Sequence, residues 1–304
     1  MAARFSPLTT EDLPELLRLC SAALPLDPFS VEVLARRIYD DARYDPQLVF
    51  GLRHQGRLIG AVAGVIRQDQ DDRRCGWMKL LAVDPAHRLR GVGRQLVMSL
   101  ETLFQRRRAT RMDTVGHPGY FWPGVDVRYT PACCLLEKLG FREHRYLVNM
   151  AVDLTRFTSD ASEWEKRLTA GGYTLARADG ASMPDVAELI ADHWPLWSHE
   201  PLAAMNNDPV SMFYVRQADR AVAYAAYDIE MFPGTFGSIG TDPRHRGQGL
   251  GVALLHACLN AMKDKGYPRA EIQWAGPIAF YARNCGAIIH RVFRDYRKEL
   301  DPDA

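Results

Sequence analysis

The chain has 304 residues, room for two domains of roughly 150 residues each. Hydrophobic residues make up 47% and charged residues 25%, a globular balance that can bury a core in each half. A formal net charge of +1 argues against nucleic-acid binding driven by bulk electrostatics, and no run approaches the roughly 20 apolar residues of a membrane span.

In chain order, FSPLTTEDLPELLRL from Phe5 predicts a short strand, a polar turn and an amphipathic helix. The start carries no apolar signal core, and six cysteines without CxxC spacing read as reduced thiols, so a cytoplasmic location is expected. Leu48 to Ile66 predicts a hairpin turning at Gln55-Gly56, followed by a strand from Trp77 to Val83. The loop Asp84 to Gly93, DPAHRLRGVG, opens a helix that closes on the basic run Arg106-Arg107-Arg108, read as a solvated helix end. A strand with Asp113, the aromatic loop HPGYFWPGVDVRY, a helix from Pro131 and a strand ending at Leu154 complete this half. Residues 155–172 are polar and end in Gly171-Gly172, as expected of a linker with a short helix.

The order then repeats. Tyr173 to Ile190 matches the opening, Phe213 to Ile229 gives a second hairpin, and a strand ending at Thr241 leads into Asp242 to Gly251, DPRHRGQGLG. The two loops lie 158 residues apart (84 to 242), and the same offset relates Asp113 to Glu271. The later helices, from Pro131 and Pro277, are 146 apart, so the first half carries 12 extra residues. Two copies at half-chain spacing imply a duplication. The expected fold class is α/β (an α+β mixed sheet), with tandem domains at 1–154 and 173–304, each a twisted mixed sheet flanked by helices.

In each copy proline ends a strand, glycines let the backbone approach a bulky anion, and a helix N-terminus supplies unpaired N–H groups. Arg88 and Arg246 add guanidiniums suited to phosphate oxygens. The pattern is a pyrophosphate cradle without the Lys-Ser/Thr of a P-loop or the spacing of a dinucleotide-fold GxGxxG. His87 and His245 recur beside these arginines and suit phosphate contact or loop packing equally.

The paired loops resemble the GCN5-related N-acetyltransferases, whose signature is Arg/Gln-x-x-Gly-x-Gly/Ala after a strand ending in Val-x-Pro. Here it reads Val83-Asp84-Pro85 with Arg88, Gly91 and Gly93, and Thr241-Asp242-Pro243 with Arg246, Gly249 and Gly251. The resemblance covers almost the whole chain as a tandem pair. It implies that Arg88, Leu89, Arg90, Gly91, Val92, Gly93 and Arg94, and Arg246, Gly247, Gln248, Gly249, Leu250 and Gly251, hold the pyrophosphate of acetyl-CoA. The preceding strands, Leu81, Ala82 and Val83 and Ile239, Gly240 and Thr241, then line the pantetheine arm, and a backbone N–H polarises the acetyl carbonyl.

The family also carries a late helix ending in Tyr-x-x-x-Gly-Phe, whose tyrosine protonates the departing thiolate. Phe280 to Ala287, FYARNCGA, supplies Tyr281 as that acid, with Ala287 in place of the phenylalanine. In the first half the position reads Leu135, with Tyr120 or Tyr129 as substitutes, and Trp274 stands where many relatives have an Asn that contacts CoA. Glu271, Asp113 and Glu230 are the candidate bases, Glu271 foremost.

His193 and His199, in HWPLWSH, lack a third ligand, so no metal is expected and the segment reads as an aromatic loop over the acceptor cleft. The expected activity is transfer of acetyl from acetyl-CoA, the co-substrate, to a primary amine on a small-molecule or peptide acceptor. No nucleic-acid or membrane partner is expected, and monomer and homodimer both remain open. The alternatives are a non-catalytic acyl-CoA sensor and an enzyme like the mycothiol synthases, whose acceptor is a cysteinyl glycoside.

Overall fold

In the computed structural model, which describes residues 4–69, 71–114, 121–229 and 232–301, each repeat alternates strands and helices as its hydrophobic periods predict. The first carries β1 (Arg4–Pro7), α1 (Leu13–Ala23), α2 (Val31–Leu34), β2 (Val49–His54), β3 (Arg57–Gln68), β4 (Arg74–Val83), α3 (Val92–Arg106), β5 (Arg111–Asp113), β6 (Val125–Asp126), α4 (Thr130–Lys138) and β7 (Arg142–Asp153). The second carries α5 (Ala161–Ala170), β8 (Tyr173–Arg177), α6 (Met183–His193), α7 (Glu200–Met205), β9 (Met212–Gln217), β10 (Arg220–Tyr227), β11 (Thr235–Thr241), α8 (Leu250–Asp264), β12 (Arg269–Ile272), α9 (Ile278–Cys285) and β13 (Ile288–Glu299). Among the described residues no helix is long and apolar enough to cross a membrane.

Two compact units result, one of Met1–Leu147 with Val292–Ala304 and one of Val148–Arg291. In the first unit β1 to β4 form an antiparallel meander, and β5 joins β4 in parallel. One stripe of α3 (Val92, Leu96, Val97, Leu100 and Phe104) is buried against this sheet. Each such side chain contributes roughly 1.5–3 kcal/mol, far more than helix propensity does. In the second unit β8 to β11 repeat the meander, β12 joins β11 in parallel, and α8 buries Leu250, Leu254, Cys258 and Leu259.

The boundaries read from the sequence are corrected by the last strands, which are exchanged. Residues Arg297–Glu299 of β13 pair antiparallel with β5, whereas β7 pairs with β12. The first repeat's final strand thus completes the second unit, and the chain's final strand completes the first. A strand's own sequence records which face is apolar and not which edge it will meet; two homologous edges accept either strand. Residues 155–172 are corrected too, because they pack as part of the second unit. Leu168 is buried in its core, Trp164 Nε1 donates to His256 Nδ1 at 3.1 Å, and Lys263 Nζ donates to the Phe157 carbonyl at 2.8 Å.

Each parallel pair touches only at its start. Cys75–Trp77 face Arg111–Asp113, and Thr235–Phe236 face Glu271–Ile272; beyond these residues β4 and β11 have no partner on that side among the described residues. Each unit therefore holds a split sheet whose open edge runs straight into an arginine-glycine loop.

Candidate active site

Both loops are built alike. Asp84 Oδ1 accepts from Ala86 N at 3.0 Å and Asp242 Oδ1 from Arg244 N at 2.9 Å, closing a short turn behind each proline. The Arg244 side chain, ahead of burial and further donors, holds the Asp242 carboxyl well below its ordinary value. Gly91 (φ +83°) and Gly249 (φ +80°) cap α3 and α8 in the left-handed region, where other residues are strained. A Cβ added at Gly249 would meet only Trp164, at 3.5 Å, and one at Gly91 only Gln95, at 3.9 Å. An anion therefore has open access to the first N–H groups of two 15-residue helices, the positive end of each dipole.

The loop arginines reach backbone carbonyls. Arg88 Nε lies 3.4 Å from the Val83 carbonyl and its Nη2 donates to the Ala23 carbonyl at 2.8 Å, while Arg246 Nε lies 3.4 Å from the Thr241 carbonyl. One edge of each guanidinium braces the strand end. The neighbouring histidines pack locally: His245 Nδ1 lies 3.2 Å from the Tyr173 hydroxyl, and His87 sits 5.9 Å from the His54 ring.

Strand alternation orients the remaining donors. Asp84 N donates to the Ile59 carbonyl and Asp242 N to the Val222 carbonyl, both at 2.9 Å, toward the neighbouring antiparallel strand. The N–H groups of Leu81 and Val83, and of Ile239 and Thr241, therefore face the split edge that β5 and β12 have left.

Tyr281 on α9 is 5% exposed, with its ring edge-on to Phe236 of β11 at 6.2 Å. Burial, with a smaller push from Cys285, raises its phenol to about 12. Among the described residues its hydroxyl has no hydrogen-bond partner. The spacing to Gly286 is one residue longer than in Tyr-x-x-x-Gly-Phe, and the helix ends absorb the difference. Ala287 N donates to the Tyr281 carbonyl as Phe141 N donates to the Leu136 carbonyl, so Leu136, and not Leu135, is the first-half counterpart. Leu135 instead packs against α3 at Gly93. Tyr129 is engaged elsewhere, donating to Asp27 at 2.8 Å, and Tyr120 lies outside the described residues, as does Glu230.

Glu271 stands opposite Thr235, on the sheet face away from α8. Its Oε1 accepts from Asn149 Nδ2 at 2.7 Å, and Asn149 Oδ1 accepts from Trp274 N at 3.0 Å. Asn149 is fully buried and arrives on the exchanged strand β7. In the first unit the matching positions hold Asp113 and Asp295, 1% and 0% exposed. Burial pushes both carboxyls up, in spite of Arg111 beside Asp113 and of Arg297 and Arg145 beside Asp295. Among the described residues, Asp113 Oδ1 and Asp295 Oδ1 each lack a hydrogen-bond partner.

The same face of the second unit holds the aromatic run HWPLWSH and, with it, Glu200, Tyr224 and Ser238, which no motif marks. Trp194 lies against the backbone of β11, leaving no space for a side chain at Gly240, and stacks with Trp197 at 5.9 Å and 18°. Behind it Glu200, 2% exposed, accepts from Tyr224 at 3.1 Å and from the Ser238 hydroxyl. The only sequence signal for this cluster was the aromatic run HWPLWSH just ahead of Glu200.

Comparison with known proteins agrees with this geometry. The model of the acetyltransferase (GNAT) family matches residues 12–141 and 183–287, well over half of the chain. A protein of Clavibacter sepedonicus named mycothiol acetyltransferase is 25% identical over 63% of this chain, and the match spans 62% of its own length. A GCN5-related N-acetyltransferase from Sphaerobacter thermophilus superposes with a TM-score of 0.71 at 20% identity, over 99% of this chain and 97% of its own. The tandem GNAT protein from the clavulanic acid biosynthesis pathway gives 0.71 at 17% identity, over 100% of both chains. At these identities the structures establish the fold: two GNAT-like domains in tandem. With the family model matching both repeats at the split sheet and the helix-capping loop, the chain belongs to the GNAT acetyltransferase family.

Proposed function

We propose that the chain transfers an acetyl group from acetyl-CoA directly to a primary amine, with the chemistry in the second unit. The observation that carries this reading is that one unit combines a glycine-capped helix, the outward amides of Ile239 and Thr241, and the buried phenol of Tyr281. The loop amides from Arg246 to Gly251 suit a pyrophosphate, and the Ile239 N–H suits the thioester carbonyl. One such preorganised donor is worth about 3 kcal/mol of barrier.

The amine attacks the thioester carbonyl to form the new C–N bond, the C–S bond of the resulting tetrahedral adduct then breaks, and Tyr281 gives its proton to the departing sulfur. A phenol near 12 stays protonated at neutral pH. Burial raises the neighbouring Cys285 thiol to about 11, and loss of water shifts any thiol in that direction, toward the phenol. Glu271, held by Asn149, receives a proton from the amine, directly or through water.

The first unit repeats the loop and the outward amides, which supports binding of a second acetyl-CoA, but Leu136 replaces the phenol. The relatives named mycothiol acetyltransferase make a cysteinyl glycoside a sensible member of the acceptor panel. Thiol release from acetyl-CoA, measured with amino sugars, diamines, amino acids, peptides and a cysteinyl glycoside, tests the proposal. Turnover with any of them supports it; calorimetric binding of acetyl-CoA without release on every amine identifies a sensor instead.

A further inference from the structure

An amine that reaches the enzyme as an ammonium loses two protons before it becomes an amide. The first frees the lone pair for attack, and the second leaves the nitrogen once it is bonded to the acetyl carbon. Tyr281 starts as the neutral phenol and regains a proton only after it has protonated sulfur, so it takes neither of these before the C–S bond breaks. The transfer reading, on which this inference rests, leaves both protons to groups on the amine side, and Glu271 takes one.

We propose that Ser238 and Glu200 form the second. Ser238 lies on β11 next to Ile239, whose N–H faces the split edge, and its side chain stands on the face opposite α8. It is half-buried, whereas Glu200 and Tyr224 are 2% and 0% exposed, so Ser238 is the one member of the trio within reach of a substrate. Its hydroxyl donates to Glu200 Oε2, and the Tyr224 hydroxyl lies 2.7 Å from Ser238 Oγ and 3.1 Å from the same carboxylate oxygen. Trp194, packed on Gly240 and 5.7 Å from the Tyr224 ring, walls this site on the acceptor side.

In the step so assigned, Ser238 Oγ takes the proton of the positively charged nitrogen in the tetrahedral adduct while its own hydroxyl proton passes to Glu200. The adduct then collapses with cleavage of its C–S bond, and Tyr281 protonates the departing thiolate. Glu200 acts through Ser238, and Tyr224 holds both oxygens in place. The first unit has no such relay, since Leu80 stands at the position of Ser238 and Ala61 faces Ala82 where Tyr224 faces Gly240.

The test compares two small primary amines, 2-aminoethanol, an ammonium at neutral pH, and O-methylhydroxylamine, which is already neutral there. Thiol release is measured with the full-length enzyme and its Ser238→Ala, Glu200→Gln, Glu200→Asp and Glu271→Gln variants. Loss of the second acceptor lowers kcat about 100-fold with both amines, leaves the acetyl-CoA Kd within about twofold, and is partly rescued in Glu200→Asp. Loss of Glu271 is severe with 2-aminoethanol and mild with O-methylhydroxylamine. Ser238→Ala with wild-type kcat, or equal responses of Glu200→Gln and Glu271→Gln across the two amines, overturns the relay. Should Glu200→Gln fail to fold, Ser238→Ala decides alone. Wild-type enzyme that releases no thiol with these amines or the acceptor panel removes the transfer reading itself.

Discussion

Asn149 belongs to the strand that ends the first repeat, yet its side chain spans two groups of the second, donating to Glu271 Oε1 at 2.7 Å and accepting from Trp274 N at 3.0 Å. Asn149 is itself fully buried, and both ends of its amide are used in these two hydrogen bonds. Asn149→Ala is expected to lower kcat about tenfold while leaving acetyl-CoA affinity near wild type. Steady-state kinetics beside calorimetric titration checks this, and a change confined to affinity would place Asn149 in cofactor binding.

Tyr281→Phe removes the phenol and keeps the ring against Phe236. Turnover should fall about tenfold or more with acetyl-CoA affinity preserved. Equal turnover takes Tyr281 out of the mechanism.

Gly249 and Gly91 hold left-handed backbone at φ +80° and +83°. Valine there costs about 1–2 kcal/mol of strain and blocks the approach to the helix N–H groups. Titration with acetyl-CoA should give two sites for the native chain and one for either Gly249→Val or Gly91→Val. A native stoichiometry of one, lost in Gly249→Val alone, sinks the claim that both loops bind.

Asp113 and Asp295 carry raised carboxyls in the folded state, first through burial and then, for Asp113, through the like charge of Asp295. For a raised carboxyl the stabilising contribution is full below the ordinary value of 3.8 and is lost as pH rises through the folded value. Asp295→Asn should therefore raise Tm at pH 7, with the gain shrinking toward pH 4. Melting curves across that window check the sign; a Tm lowered at pH 7 shows that the cations Arg145 and Arg297 need the charge more than burial penalises it.

The exchanged strands predict the behaviour of fragments. A chain ending at Leu154 lacks the β13 residues that pair with β5, and it carries a β7 whose partner β12 is missing. Hydrogen exchange on this fragment should show little protection in β5 and β7. Native-like protection in both would mean that β7 returns to its own repeat.

What was legible in the sequence is local. The paired loops could be read because strand end, glycine cap and helix start fall within ten residues, and the direction of their backbone N–H groups follows from the turn itself. The amphipathic stripes of α3 and α8 were legible for the same reason, since a period of 3.6 names the buried face without naming what covers it. The misplaced counterpart of Tyr281 shows the limit at its smallest, where one extra residue before Gly286 shifted the alignment and only the capping hydrogen bonds restored it.

Tertiary structure decided which strand completes which sheet and which side chains meet on the face opposite α8. Asn149 and Glu271 are 122 residues apart, and Glu200 and Ser238 are 38 apart on different elements. Their chemistry depends on a shared position in space, which no pattern of spacing along the chain encodes. The sequence by itself determined that this protein carries the same strand, glycine-capped loop and helix start twice, in the pattern of the GNAT family. The fold decided which side chains share a unit with the second loop, because only packing brings Glu200 to Ser238, Asn149 to Glu271 and Tyr281 to Phe236.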